Sequence, residues 1–244
     1  MAELNVVLVP GLLCDQAVWK PQMKALKDLA RMHVADHGEL DSLEGMADAI
    51  LAQAPPTFAI VGHSMGGRVA LEVVRRAASR VTGLALLDTG YAPLPAGEAG
   101  AKEAAGRHAL LNLARSSGMR AVGERWLSIP MIHEARLKER TLVESILRMI
   151  ERRTPQQFAA QIRALLARPD ATTLLPMISC PALVLCGHDD AWAPLSTHRV
   201  MAQLIPHSTL VTVPDCGHMC TMERPEPVSA ALRTWLERVA RMSA

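Results

Sequence analysis

Three short segments of this 244-residue chain carry side chains that together could do nucleophilic chemistry. Gly62-His63-Ser64-Met65-Gly66-Gly67 stands between an aliphatic run and a helical pattern. A serine flanked two positions either side by glycine suits a sharp strand-to-helix turn, where small residues let strand and helix approach while the hydroxyl is lifted clear. A hydroxyl is a weak nucleophile near neutral pH and needs an adjacent base. His218, in Asp215-Cys216-Gly217-His218, is the candidate, placed after the last strand-like run and before the last helix. Such an imidazole needs a carboxylate to fix its tautomer and stabilise the imidazolium. Gly187-His188-Asp189-Asp190 supplies two acids; Asp190 is the first choice, with Asp189 and Asp88 as alternatives.

The oxyanion of an acyl-transfer intermediate needs N–H donors, and helix N-termini offer them. The Met65 amide, opening the helix after Ser64, is one expected donor. The Leu12 amide, after Val9-Pro10-Gly11 at the end of the first strand, is the other. Of the remaining histidines, His63 is expected to support the turn, whereas His33, His37 and His198 fall in helix-flanking or surface-like segments.

Positioning these groups takes a sheet. Aliphatic runs at Leu4–Pro10, Met32–Ala35, Phe58–Gly62, Gly83–Asp88, Ala182–Cys186 and Thr209–Val213 read as strands. They alternate with helical patterns over Gln16–Ala30, Leu43–Gln53, the stretch after Ser64, Leu195–Leu204 and Pro227–Met242, the signature of βαβ units around a parallel sheet. The alternation breaks from Tyr91 to Ser179, where apolar residues recur only at helical spacing. The expected organisation is a core of residues 1–90 and 180–244 with a helical lid, 91–179, inserted in it. The lid carries 13 basic and 8 acidic residues, the remainder 13 and 16. Such charges are ordinarily a solvated face; the second reading is that Arg152, Arg153 or their neighbours attract an anionic or carrier-linked substrate.

Composition excludes several classes. No Lys/Arg run with interleaved aromatics points to nucleic acid. No apolar stretch reaches the ~20 residues of a membrane span, and MAELNVVLVP lacks the pattern of a signal peptide, so it reads as a mature start. Five cysteines without framework spacing fit reduced thiols in a cytoplasm. Cys216, His218 and Cys220, with His188 and Asp190 near, lack the paired C-x₂₋₄-C spacing of zinc sites, so no metal is expected. With two Phe, one Tyr and four Trp against thirteen Met, the pocket is expected to be aliphatic and pliable rather than built for stacking. Leu13, Trp126, Met149 and Trp192 are the candidate wall residues.

VPGLLCDQAVW, GHSMGG, LVLCGHDDAWAP and VPDCGHMCTMERPEPV, in that order, resemble the α/β-hydrolase superfamily over essentially the whole chain outside the lid. The resemblance implies a mostly parallel sheet with helices on both faces, the chain order Ser, Asp, His, an inserted helical lid and no cofactor. It selects Asp190, four residues before Pro194, as the triad acid, and matches Leu12 and Met65 to the family's oxyanion donors. Where the family usually has His-Gly before the first of these donors, this chain has Pro10-Gly11. The chain starts at the family's third strand. Its lid is similar to those of small carboxylesterases, enol-lactonases and cofactor-free haloperoxidase-like hydrolases. The basic lid also resembles that of the esterase that removes a methyl ester from a pimeloyl carrier-protein conjugate. The expected function is hydrolysis of a carboxylic ester, lactone or thioester of a small molecule through an acyl-enzyme. A carbon–carbon hydrolase or lyase on the same triad, or a non-catalytic receptor of this fold, is the alternative.

Overall fold

The computed structural model describes residues Leu4–Met242. In chain order the elements are β1 (Leu4–Val9), α1 (Lys20–Ala25), β2 (Ala30–Val34), α2 (Leu43–Gln53), β3 (Phe58–His63), α3 (Met65–Ala77) and β4 (Val81–Leu87). Four helices follow, α4 (Glu98–Ser117), α5 (Met119–Leu127), α6 (Arg140–Glu151) and α7 (Pro155–Leu166). The chain then completes the sheet with β5 (Ala182–Gly187), α8 (Leu195–Leu204), β6 (Ser208–Val213), α9 (Cys220–Glu223) and α10 (Pro225–Met242).

All six expected strands form, and every pairing between them is parallel, in the order β2-β1-β3-β4-β5-β6. Because successive side chains in a strand face opposite ways, the aliphatic runs serve two cores at once. Leu8, Val61, Leu87 and Leu185 belong to a cluster with Trp19, Leu232 and Trp235 of the chain ends. Val9, Ile60, Leu86 and Val184 belong to the other, with α2, α3 and α8 residues such as Met46, Val69 and Met201. The sheet is therefore covered on both faces, which is why its strands read as continuous apolar runs rather than alternating ones.

The helix expected over Gln16–Ala30 is shorter. Asp15 accepts from Ala17 N at 2.7 Å and opens a single 3₁₀ turn, Gln16–Trp19. Pro21 stands in the first turn of α1, where its missing N–H costs nothing, and α1 runs only to Ala25 before β2 begins at Ala30. Between β4 and β5 there are only helices, as the lost alternation implied. Their apolar faces, including Trp126, Ile146 and Phe158, join the first core cluster. Arg152 and Arg153, candidates for attracting an anion, instead tie α6 and its C-terminal turn to the sheet loops. Arg152 meets Asp15 at 2.7 Å. Arg153 donates to the Cys14 carbonyl at 2.7 Å and meets Asp36 at 3.3 Å. Among the described residues no helix is long and apolar enough to cross a membrane.

Gly83 of β4 marks where α10 lies closest to the sheet, since a Cβ there would stand 2.5 Å from Val239 and 2.9 Å from Trp235. Gly83→Ala is expected to cost roughly 1–3 kcal/mol by overpacking. Urea unfolding should show a lower midpoint with an unchanged slope; an unchanged midpoint would mean that α10 can move aside.

Candidate active site

The loops at the C-terminal ends of the strands converge here, and the backbone is forced at four of them. Leu13 after β1 (φ 59°), Ser64 after β3 (φ 55°), Asp88 after β4 (φ 46°) and Asp215 after β6 (φ 48°) are the non-glycine residues with positive φ among those described. Such conformations persist only where surrounding contacts fix them. At Ser64 (φ 55°, ψ −120°) the fixing contacts are explicit. Its N–H donates to Leu87 O at 2.9 Å, and its carbonyl accepts from the Thr89 hydroxyl at 2.6 Å. The glycines around it leave no room for a side chain. A Cβ on Gly62 would stand 2.3 Å from Gly66 O, one on Gly66 2.1 Å from Val9 O, and one on Gly67 2.6 Å from Thr89.

The turn sets the Ser64 hydroxyl 2.8 Å from His218 Nε2, and His218 Nδ1 lies 2.8 Å from Asp190 Oδ2. Asp190 Oδ1 accepts from the N–H groups of Trp192 and Ala193 at 2.8 and 2.9 Å. Both carboxylate oxygens are thus engaged, one by His218 and one by its own loop. Asp189 is exposed and faces His188 and His133 instead. Asp88 reaches the Gly187 and Cys220 amides rather than His218. A serine hydroxyl bonded to an imidazole whose far nitrogen faces a buried carboxylate is set up for proton transfer from oxygen to nitrogen.

Burial opposes a proton on His218, but the Asp190 charge and their hydrogen bond, with Asp88 and Glu223 adding, hold its pKa above the ordinary imidazole value. Burial likewise works against charge on Asp190, and the His218 charge and hydrogen bond overcome it, holding that carboxyl below its usual range. For Asp88 burial wins, reinforced by the Asp190 charge, and its pKa is raised. Of the two acids, the one whose charged form is favoured is thus Asp190, in contact with the imidazole.

Leu12 and Met65 both line the cavity above Ser64, and among the described residues neither N–H is engaged by another group of the chain. The Leu12 loop is held from three sides. A Cβ on Gly11 would stand 3.0 Å from Ser64 Cβ, His37 Nε2 donates to Pro10 O at 3.1 Å, and Leu13 N–H donates to Gln161 Oε1 of α7 at 2.9 Å.

Several supporting groups lay beyond the sequence reading. His63 Nε2 donates to the His218 carbonyl at 2.8 Å, so it steadies the base as much as the turn. His37 and His198, placed in surface-like segments by the sequence, are buried; His198 Nε2 accepts from Thr89 N at 3.0 Å. Burial first, eased by a backbone hydrogen bond, lowers His37 to about 4, and burial followed by the His218 charge does the same at His63. Both therefore act as neutral hydrogen-bonding rings. Glu223 accepts from His133 N, Gly217 N and Met219 N at 2.8 to 3.1 Å, and His218 N–H itself donates to Met131 O at 2.9 Å. No spacing in the chain signalled either.

The cavity has a volume of about 690 Å³. Trp126 and Trp192 line it, as expected, but Leu13 and Met149 do not: both are fully buried in the core cluster with Trp19, Leu13 behind its own loop and Met149 on the inward face of α6. The wall is also more aromatic than the composition implied. Tyr91, Trp126, Phe158 and Trp192, four of the chain's seven aromatic residues, line it. Trp192 lies 5.0 Å from the His218 ring and 5.6 Å from Trp126, which lies 5.9 Å from Phe158, centroid to centroid. The few aromatics are concentrated at one place, so a count over the whole chain misled.

Residues 6–231 match the model of a family described as the alpha/beta hydrolase family. A pimeloyl-(acyl-carrier protein) methyl ester esterase from Nitrosomonas europaea is 28% identical over 237 residues, 91% of either chain. Among solved structures, a thermophilic esterase from Thermogutta terrifontis (malate bound) superposes with a TM-score of 0.85 at 32% identity, covering 97% of this chain and 90% of that one. The enol-lactonase from Burkholderia xenovorans LB400 shares the fold, with a TM-score of 0.84 at 23% identity over 97% of this chain and 92% of its own.

Glu223→Ala would leave the His133, Gly217 and Met219 amides without their shared acceptor. An unsatisfied buried group costs about 1–3 kcal/mol, so denaturant unfolding should show a loss at least that large. A loss near zero would mean that water or a shifted loop takes over the three amides.

Proposed function

Because the chain belongs to the alpha/beta hydrolase family, we propose that it hydrolyses a carboxylic ester, or a related lactone or thioester, through an acyl-enzyme on Ser64. The observation that carries this reading is the unbroken hydrogen-bond chain from Ser64 through His218 to Asp190, opening on the cavity. His218 Nε2 takes the Ser64 proton as the hydroxyl oxygen bonds to the acyl carbon. The Leu12 and Met65 N–H groups donate to the oxyanion that forms. The tetrahedral intermediate collapses, the bond to the leaving oxygen breaks, and His218 returns the proton to the alcohol. Water then repeats both steps on the acyl-serine and releases the acid. Asp190 holds the tautomer with the proton on Nδ1 and balances the imidazolium charge.

The helices between β4 and β5 act in this reading as a lid that walls the acyl pocket with Trp126 and Phe158 and excludes water from the intermediate. The five cysteines are all free, and we place the enzyme in a reducing cytoplasm on that basis. A carrier-linked acyl group is the finer possibility that the name of the Nitrosomonas relative raises.

A p-nitrophenyl ester series from acetate to dodecanoate should give activity peaking at one chain length. Ser64→Ala should lower kcat about 10⁶-fold, by analogy with other serine triads. Retained esterase activity in that variant would refute the reading. The base must be neutral to accept the proton, so kcat/KM should rise with pH through the His218 pKa, with a midpoint above 6.5 because Asp190 stabilises the imidazolium. Asp190→Asn removes that charge. The midpoint should then move to lower pH while kcat falls roughly 10⁴-fold. A profile that keeps its midpoint in Asp190→Asn would assign the titration to another group.

A further inference from the structure

Three guanidinium groups and a single carboxylate, Arg68, Arg107, Arg168 and Glu103, stand together in the cavity wall. Glu103 is fully committed: Arg168 donates to its two oxygens at 2.7 and 2.8 Å, and Arg107 reaches it at 2.8 Å. Arg68 is left over. Its Nη1 donates to Ala92 O at 2.7 Å, and among the described residues it pairs with no carboxylate. A Cβ on Gly90 would stand 2.7 Å from its Nη2, so the glycine keeps the guanidinium's place open. Arg168 Nε is buried without a partner.

The cluster thus sets three positive charges against one negative, a net of +2, in a partly dry site where unbalanced charge is costly. Burial first, then the charge of Arg168, with Glu103 opposing and Arg107 adding, pulls the Arg68 pKa down to about 9. Guanidinium forks match carboxylates in shape as well as charge. Arg68 follows Ser64 by four residues on α3, about 6 Å of helix rise. An anion at Arg68 therefore sits within a short chain's reach of the Ser64 hydroxyl.

We propose that Arg68, supported by Arg168 and Arg107, binds the free carboxylate of a substrate that is the half-ester of a short dicarboxylic acid, its ester lying at Ser64. The identity of the ester end rests on the hydrolase reading of Ser64; the carboxylate site does not. Basic residues at this wall, rather than Arg152 and Arg153, select the charge.

The test is calorimetric titration of the Ser64→Ala protein, in which ligands persist, with monomethyl succinate, glutarate and adipate and with the corresponding dimethyl esters. The expected result is at least tenfold tighter binding of one half-ester than of its neutral counterpart, an advantage that shrinks as salt is raised. Arg68→Gln should abolish the advantage and Arg68→Lys should restore part of it. Equal binding of charged and neutral esters to the Ser64→Ala protein would overturn the proposal without any need of the Arg68 variants. So would an Arg68→Gln change that weakens both ligands alike. Turnover of the same esters by the unmodified enzyme separates the two readings. Ester hydrolysis without charge preference removes only the carboxylate site. Tight half-ester binding with no hydrolysis of any ester keeps that site and removes the serine-esterase reading.

Discussion

Everything at the sheet's C-terminal edge depends on one backbone conformation, that of Ser64. A non-glycine residue in its region of φ and ψ costs of order 1–3 kcal/mol, and the chain meets that cost with local closeness. Gly62, Gly66 and Gly67 bring β3, β1 and α3 together at distances that no side chain would allow. The Leu87 carbonyl and Thr89 hydroxyl then grip the peptide groups on either side. Once the turn is fixed, the hydroxyl has one place to be. The other three left-handed residues, Leu13, Asp88 and Asp215, extend the same device to the loops after β1, β4 and β6. Backbone strain of this kind collects on the edge where side chains must be aimed.

Charge is apportioned with similar economy. Three acids are buried close to His218, yet they do different things because their donors differ. Asp190 meets the imidazole and holds the negative charge. Asp88 is pushed towards its neutral form by burial and by the Asp190 charge. Glu223 gathers amides of the loop that carries His218 and of His133, in the segment between β4 and β5. Three further histidines, His37, His63 and His198, are buried where burial disfavours their charge, so they join loops by hydrogen bonds without adding charge to the reacting centre.

What the sequence made legible follows from how locally each feature is encoded. The six strands were readable because a sheet covered on both faces demands continuous apolar runs, and the turn at Ser64 was readable because its glycines are required by sterics. Leu12 and Met65 could be nominated from their positions at strand ends, and Asp190 was singled out from its neighbour Asp189 by the family resemblance; the structure gathers all three around Ser64 and His218. The α1 region was misjudged in extent: a 3₁₀ turn precedes α1, and the helix ends at Ala25 although the pattern ran on to Ala30. Leu13 and Met149 were misplaced for a different reason: an apolar residue looks the same to composition whether it faces a cavity or the core behind it. Buried His37 and His198, Glu223 and the Arg68 cluster had no local signature at all. Their roles arise from pairs far apart in the chain, such as Arg168 with Glu103 or His198 with Thr89.

The helices between β4 and β5 do more than roof the cavity. The Met131 carbonyl receives the backbone N–H of His218, the His133 amide binds Glu223, and Gln161 receives the Leu13 N–H beside Leu12. The segment between β4 and β5 is therefore bonded to the loops that carry His218 and Leu12 as well as lining the cavity. Replacement of this segment is constrained by those three attachments: a substitute lacking them would change the walls of the cavity and also loosen the loops that carry His218 and Leu12. What the segment presents to the cavity can change without cost to those loops only where the three attachments are kept.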